Sequence, residues 1–196
     1  MENHPLATQL HDYTAKLVID AMHSDFKGLA RLAEKLLHAK AQGRRVFLAG
    51  NGGSAATASH MANDLLKGCR VGNLPGLRAI ALTDPNAVIT CLANDFSYEE
   101  IFSIQLETQA EPGDLMIVFS GSGNSANILR VVETAKRMGL DTVGFTGMGG
   151  GKLRNLCDLV IIAPSDCMEQ IEDMHMFYEH ALISVVRAGL TERSRA

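Results

Sequence analysis

The sequence predicts an α/β fold in which a doubly wound parallel sheet of five strands carries helices on both faces. Its 196 residues are 46% hydrophobic and 20% charged, which suits a globular core rather than a disordered chain. Short apolar segments alternate with helical patterns, the order typical of parallel strands joined by crossover helices. Two of these segments run into glycine-rich loops that each open a helix, a junction where such sheets bind ligands.

Two amphipathic helices precede the sheet, because apolar residues recur at helical spacing over 6–21 and again over 26–41. The predicted strands are 45–49, 77–82, 115–119, 142–145 and 159–163. The helices between and after them are 55–67, 86–92, 98–108, 126–137 and 168–190. No repeat or linker divides the chain. We therefore expect one domain over 1–196, with a helical region over 1–42 and the sheet with its terminal helix over 43–190.

The charge, the apolar runs and the cysteines each exclude a class of function. The net charge is -4 and the basic residues are scattered, which argues against a nucleic-acid partner. No apolar run approaches the ~18 residues of a membrane span, and residues 1–6 lack the features of a secretory signal. The 4 cysteines show no CxxC spacing, so we expect reduced thiols. These features predict a cytoplasmic protein without nucleic-acid or membrane partners.

The first glycine-rich loop, residues 50–54, lies between a predicted strand and a predicted helix. Its glycines would let backbone N–H groups approach an anion, and the helix N-terminus adds partial positive charge. The loop matches neither GxGxxG nor GxxxxGK[ST], and a tight glycine turn is often only structural, so both interpretations stay open. The candidate binding residues here are Asn51, Gly52, Gly53 and Ser54.

The second loop, residues 120–125, occupies the equivalent place after the strand 115–119. Its serines and glycines, with a fresh helix N-terminus, can surround a phosphoryl group with neutral donors. The alternative is a flexible turn in which Ser125 only caps the helix. The candidate binding residues here are Ser120, Gly121, Ser122, Asn124 and Ser125.

Histidines and carboxylates at helical spacing form a third candidate site. His60 and Asp64 are four residues apart, so they share one helix face and could share a metal or position a proton. Glu172 and His180 are eight residues apart on the terminal helix and could face one site as well. A solvated helix face is the alternative, and spacing alone cannot choose. The same helix carries four competing residues: Glu169, Asp173, His175 and Glu179.

Taken together, these motifs resemble the SIS-domain phosphosugar isomerases, in particular the phosphoheptose isomerases. The resemblance spans nearly the whole chain and depends on several motifs in one order. They are 50–54 followed by His60, then 79–85, 93–96, 122–125, and 171–175 continuing to His180. The resemblance implies a flavodoxin-like SIS domain. It also implies an aldose–ketose isomerase that interconverts sedoheptulose 7-phosphate and a heptose 7-phosphate through an enediol, without an organic cofactor.

The resemblance further implies roles for individual residues. Asp64 and His180 match the family's catalytic, proton-transferring pair, and Asp95 matches an aspartate that contacts the sugar. Zinc, or another divalent metal, is implied at a site formed by His60, Asp64, Glu172 and His180. The serines that match the family's phosphate-binding positions are Ser54, Ser120, Ser122 and Ser125.

Four positions depart from the family pattern. Asp64 stands where Glu is usual, Glu172 where Gln is usual, and Gly121 where Thr is usual. Gly68 stands where the family has an arginine, although Lys67 or Arg70 could reach the same space. The shorter Asp64 withdraws its carboxylate by one methylene, and a misplacement of about 1 Å can lower a rate about 100-fold. Glu172, a candidate both for the metal and for the substrate, adds a negative charge. That charge predicts tighter binding of a divalent cation and weaker contact with a nearby phosphate oxygen.

Two other functions stay open. One is an isomerase for a different phosphosugar, because Gly121 and Glu172 lie where substrate selectivity would be set. The other is a non-catalytic adaptor or sugar-phosphate sensor, because the fold also resembles an initiator-associating protein of bacterial replication that binds a protein partner. The retained acid, base and metal-ligating residue types favour the enzyme.

The first helix predicts self-association. Its apolar side chains precede the sheet domain and need a cover, for which another subunit is a natural choice. The resemblance implies a homotetramer with active sites between subunits. The side chains concerned are Leu10, Tyr13, Leu17, Val18 and Met22.

Overall fold

The strands form a single parallel sheet in the computed structural model, which describes residues 4–194. They are β1 (Arg45–Ala49), β2 (Arg78–Ala81), β3 (Leu115–Phe119), β4 (Asp141–Thr146) and β5 (Leu159–Ile162). Their order is β2-β1-β3-β4-β5, and every neighbouring pair is parallel. The predicted α/β fold is confirmed, with strand ends at most one residue from their predicted positions. The described residues exclude 1–3 and 195–196. Residues 1–3 belong to the segment expected to carry no secretory signal.

Helices cover both faces of this sheet. They are α1 (Pro5–Met22), α2 (Phe26–Ala41), α3 (Gly53–Asn63), α4 (Asn86–Asp95), α5 (Ser103–Gln109), α6 (Ala126–Arg137), α7 (Leu153–Leu156) and α8 (Met168–Arg193). The pattern did not predict α7, because a single turn is too short to show periodicity. The predicted helix 98–108 is divided into a 3₁₀ turn, Tyr98–Glu100, and α5. Within residues 4–194, no helix combines the length and apolarity that crossing a bilayer would require.

The first helix after β1 differs from its prediction at both ends. It begins at Gly53, inside the first glycine-rich loop, and it passes into a π-helical turn over Asp64–Gly68. Such turns insert an extra residue into a helix and are frequent at functional sites. Asp64, one of the predicted site residues, is the first residue of this turn.

Two hydrophobic clusters, one on each face of the sheet, hold the layers together. Successive residues of a strand point to opposite faces, so Phe47 and Leu48 of β1 belong to different clusters. Leu48 packs with residues of α2, α3 and α8, whereas Phe47 packs with residues of α5 and α6. Both faces are therefore buried, which explains why the strands are continuous apolar runs.

The connections reverse direction between β1 and β3, which are neighbours in the sheet. The helix after β1 covers one face and the helix after β3 covers the other. Ala49 of β1 is in register with Val118 of β3, so both strands end at the same edge. Ligands of open α/β sheets bind at such a switch point. The two predicted loops, 50–54 and 120–125, begin there.

Helix α1 packs only partly against the rest of the chain. Leu17 contacts the core, and the Tyr13 hydroxyl donates a hydrogen bond to the Asp173 carboxylate. Leu10, Val18 and Met22 remain 70%, 54% and 74% exposed. Part of the apolar face predicted to need a cover is thus open in the single chain.

Candidate functional site

The loops after β1 and β3 enclose a cavity of about 290 Å³. Two helix N-termini open into it, since α3 begins at Gly53 and Ser125 immediately precedes α6. The hydroxyls of Ser120 and Ser125 lie 3.3 Å apart in its wall. Backbone N–H groups at helix N-termini together with hydroxyl donors suit a phosphate. The lining residues are Asn51, Gly52, Gly53, Ser54, Phe119, Ser120, Gly121, Ser122, Ser125, Met168 and Glu172.

Two predicted binding residues lie outside this cavity. The Asn124 amide donates to the Ser122 carbonyl and accepts from the Lys152 backbone N–H, at 2.8 and 3.1 Å, so it fixes the shape of the second loop. Asp95 is exposed at the end of α4, where a hydrogen bond from the Asn94 amide lowers the pKa of its carboxyl. The single chain does not bring Asp95 to the switch point.

The side chain of Asn51 joins the two loops to each other. It exchanges two hydrogen bonds with the buried Asn127 of α6, at 2.9 and 2.8 Å. The Tyr98 hydroxyl donates to the same Asn51 oxygen at 3.0 Å. Sequence reasoning missed Asn127 and Tyr98, because an asparagine inside a helix and a tyrosine in a short turn match no motif. Asn51 therefore positions the loops, with its amide already paired.

Glu172 belongs to the cavity. A Cβ atom at Gly53 would lie 2.3 Å from Glu172 Oε2, so the carboxylate rests against the first residue of α3. The partial positive charge of a helix N-terminus favours a carboxylate there. A side chain at Gly53 would therefore have to displace the Glu172 carboxylate.

Gly121 leaves room for Met168. A Cβ atom at Gly121 would lie 2.4 Å from the Met168 sulfur. The methionine thus fills the space of the side chain that the family pattern has at this position. The cavity has an apolar wall where a hydroxyl would be expected.

A second polar site lies farther along α3 and α8. Ligand atoms of His60, Asp64, Glu179 and His180 all lie within 4.8 Å of one another. The Nε2 atoms of the two histidines are 3.1 Å apart. Asp64 Oδ2 is 3.8 Å from His60 Nε2, and Glu179 Oε2 is 3.4 Å from His180 Nε2. We call these four residues the His/carboxylate cluster.

The cluster contains three of the four predicted metal-site residues, with Glu179 where Glu172 was expected. The reason is axial distance. Glu172 precedes His180 by eight residues, which separates them by about 12 Å along a helix even though they share a face. Glu179 is adjacent to His180, and its carboxylate reaches the same histidine nitrogens.

The composition and burial of the cluster fit a divalent cation. Glu179 is fully buried, and within residues 4–194 neither of its carboxylate oxygens has a hydrogen-bond partner. Burial, together with the nearby Asp64, raises the pKa of Glu179 to about 7. Imidazole and carboxylate are common zinc ligands, and ligand atoms around a tetrahedral zinc lie about 3.3 Å apart. The histidine and carboxylate separations of 3.1 to 4.0 Å are close to that value.

A third histidine, His175, is linked to the second loop through Thr146. It is fully buried against Phe119 and Phe145, and its Nε2 lies 3.3 Å from the Thr146 carbonyl oxygen. The Thr146 hydroxyl in turn donates to the Gly121 carbonyl at 3.3 Å. Burial lowers the pKa of His175 to about 4, so the ring stays neutral in the folded protein.

This neutral histidine predicts a loss of stability in acid. Between pH 6.5 and 4 the unfolded chain binds a proton at His175 that the folded chain does not, so the free energy of unfolding falls as the pH is lowered. The loss attributable to His175 reaches about 2 kcal/mol at pH 5. Urea denaturation of the wild type and of His175→Gln measures it, because glutamine can keep the hydrogen bond to Thr146 without titrating. Parallel stability curves for the two proteins from pH 7.5 to 5 would contradict the assignment.

Comparisons with known proteins agree with this architecture. The model of the SIS domain family matches residues 11–147. Phosphoheptose isomerase of Trichlorobacter lovleyi is 37% identical over 186 residues, covering 94% of this chain and 93% of that protein. Phosphoheptose isomerase of Paramagnetospirillum magneticum is 43% identical over 158 residues, covering 81% and 82%. The structure of a phosphoheptose isomerase from Francisella tularensis superposes with a TM-score of 0.88 at 28% identity, covering 94% and 97%.

These matches agree with the motifs and the geometry described above. The structural match extends over the whole sheet and both flanking layers, because it covers almost all of each chain. The sequence matches include both glycine-rich loops and, in the first relative, most of the chain. The chain therefore belongs to the SIS domain family and, within it, to the phosphoheptose isomerases.

Proposed function

We propose that this protein is an aldose–ketose isomerase that interconverts sedoheptulose 7-phosphate and a heptose 7-phosphate. One observation carries the proposal: helices α3 and α8 both contribute to the anion-binding cavity and, farther along their length, to the His/carboxylate cluster. Ser54 and Glu172 lie in the cavity, and His60 and His180 lie farther along α3 and α8. A phosphorylated substrate could span both sites.

The separation of the two sites suits a seven-carbon sugar. Six residues of α3 separate Ser54 from His60, an axial distance of about 9 Å. An extended sugar advances about 1.3 Å per carbon–carbon bond, so the phosphorus of a heptose 7-phosphate lies about 10 Å from C1. With the phosphate in the cavity, C1 and C2 then come to the cluster.

The cavity would hold the phosphate and so fix which carbons meet the acid and the base. Ser54, Ser120, Ser122 and Ser125 supply neutral hydroxyl donors, and the two helix N-termini supply backbone N–H groups. Binding energy gained at the phosphate is converted into orientation at the reacting end. Asp95, which is exposed in the single chain, would contact the sugar.

Asp64 and His180 would carry the protons. Asp64 takes a proton from C1 of the ketose, and the C–H electron pair forms the C1=C2 bond of an enediol. The C2 oxygen takes the proton that His180 carries on Nδ1, because its other ring nitrogen, Nε2, faces His60 in the cluster. In the second half Asp64 returns its proton to C2, while His180 removes the proton of the C1 hydroxyl and leaves an aldehyde. Both side chains are partly exposed, at 23% for Asp64 and 56% for His180, so a substrate can reach them.

Zinc is the cation that we propose for the cluster, with His60, Asp64 and His180 among its ligands. The orphaned carboxylate of Glu179 and the two converging imidazoles support a cation of this kind. When bound, such a metal would polarise the substrate's carbonyl oxygen as a Lewis acid. Proton transfer between adjacent carbons needs only an acid and a base, so we propose no organic cofactor.

A homotetramer is the assembly that we propose. The open apolar side chains of α1, including Leu10, Val18 and Met22, support burial against another copy of the chain. All four cysteines, each within residues 4–194, are free thiols, which supports a reducing compartment such as the cytoplasm. Light scattering of the purified protein gives the assembly mass, and a 21.1 kDa particle would contradict the tetramer.

The test of the function is conversion of sedoheptulose 7-phosphate, followed by NMR with zinc-loaded protein. We expect the aldose signal to appear, and fructose 6-phosphate, one carbon shorter, to react at least about 10-fold more slowly in kcat/KM. Absence of conversion would overturn the proposal for this sugar. Binding of the sugar phosphate without conversion would favour the sensor or adaptor, and faster conversion of the hexose would favour an isomerase for a different phosphosugar.

A further inference from the structure

Glu179 is the least expected member of the His/carboxylate cluster. It is 0% exposed, and within residues 4–194 both of its carboxylate oxygens lack a hydrogen-bond partner. Its Oε2 lies 3.4 Å from His180 Nε2 and 4.0 Å from His60 Nε2. The side chain is therefore aimed at the point where the two imidazoles converge.

An ionised carboxylate in this environment needs a positively charged partner. Burying an unpaired charge is unfavourable by several kcal/mol, and Asp64 adds a second negative charge within 4.8 Å. Among the described residues, neither carboxylate forms an ion pair with a lysine or an arginine, and their only ion-pair partners are the two histidines. A divalent cation would neutralise the two carboxylates and use two neutral imidazoles as its remaining ligands, giving a site of zero net charge.

The other glutamate of α8 faces a different site. The Glu172 carboxylate rests against Gly53 in the anion-binding cavity, near the start of α8. A metal site that included Glu172 as well would carry an excess negative charge. The two glutamates therefore have separate surroundings, one beside the phosphate loops and one beside the histidines.

We infer that Glu179, and not Glu172, supplies the second carboxylate of the metal site, with His60, Asp64 and His180 as the other ligands. This inference deepens the proposed function, because it assigns the ligands of the cation in the same active site. Glu179 is a metal ligand rather than a catalytic residue, since a fully buried side chain does not touch the substrate. Glu172 is left to accept hydrogen bonds from hydroxyl groups of the sugar.

Zinc affinity tests the inference without any substrate. Metal-stripped wild type, Glu179→Gln and the matched control Glu172→Gln are titrated with zinc in competition with a chromophoric chelator. We expect Glu179→Gln to weaken zinc binding about 100-fold or more, and Glu172→Gln to change it less than about 3-fold. Cobalt substitution gives a second readout, because the visible absorption of Co²⁺ reports loss of a ligand.

Glu179→Leu covers the case in which the amide variant folds poorly. Leucine removes the unpaired buried charge, so the metal-free variant should melt above the metal-free wild type, while the rise in Tm on adding zinc should be lost. Wild-type zinc affinity in both Glu179 variants, or an equal loss in Glu172→Gln, would overturn the inference. Absence of zinc binding by the wild type would overturn it too. If the variants show the expected difference in zinc affinity but the wild type does not convert the sugar, the inference is supported and only the isomerase proposal is contradicted.

Discussion

Replacing His180 by alanine is expected to lower kcat for sedoheptulose 7-phosphate by about 1,000-fold, within the range typical of general acid–base groups. The imidazole is 56% exposed beside the cluster, and its loss removes the group proposed to exchange protons with the two sugar oxygens. KM should change much less, because the phosphate is bound by the loops at the other end of the substrate. NMR progress curves at saturating substrate measure kcat directly.

The control for this variant is His38→Ala. His38 is an exposed histidine at the end of α2, which leads into the amino end of β1, away from the edge where the loops lie. It should retain wild-type kcat. An activity of His180→Ala within about 10-fold of the wild type would rule out His180 as the acid.

Asp64→Asn should be about as damaging as His180→Ala, because acid and base act on the same proton transfer. The double variant should lose little more than either single variant, since residues that act as a unit are not additive. Additive losses would indicate independent roles, for example one residue in the chemistry and the other only in metal binding.

The fold and the anion-binding cavity were predictable from sequence because both depend on local patterns. Apolar runs mark buried strands, and the glycines and serines after β1 and β3 must meet at one edge when the strands are parallel. The structure places nine of the predicted binding residues around one cavity for that reason. Asn51 shows the limit of this reasoning, because its partner Asn127 is 76 residues away in sequence.

The composition of the His/carboxylate cluster was not predictable from spacing. His60 and Asp64 meet because they lie on one turn of helix, which sequence alone indicates. Whether Glu172 or Glu179 joins the cluster depends on the axial position of α8 relative to α3. Tertiary packing sets that position, and residue spacing within one helix does not reveal it. Glu179 was one of four open alternatives on α8, and its burial, with both oxygens unpaired, distinguishes it only in the structure.

Gly123→Ala is expected to lower the free energy of unfolding by about 3 kcal/mol, from backbone strain and steric overlap together. Gly123 has φ +65°, and a Cβ atom there would lie 2.2 Å from the Gly150 carbonyl oxygen and 2.7 Å from its carbon. Both are backbone atoms, so the overlap cannot be relieved by turning a side chain. The loop 120–125 must move away from residues 147–150, to which it is hydrogen-bonded through Gly121 and Gly147 at 2.9 Å.

Gly149→Ala separates the two contributions. Gly149 also has a positive φ, +75°, but a Cβ atom there meets nothing within 4 Å, so its substitution should cost only about 1 kcal/mol. Urea denaturation compares the two variants with the wild type. Because Ser120, Ser122 and Ser125 would move with the loop, Gly123→Ala should also raise KM for the sugar phosphate more than it lowers kcat. Equal destabilisation by both substitutions would mean that the contact with Gly150 does not fix the shape of the loop 120–125. A larger loss of unfolding free energy in Gly123→Ala than in Gly149→Ala would mean that it does.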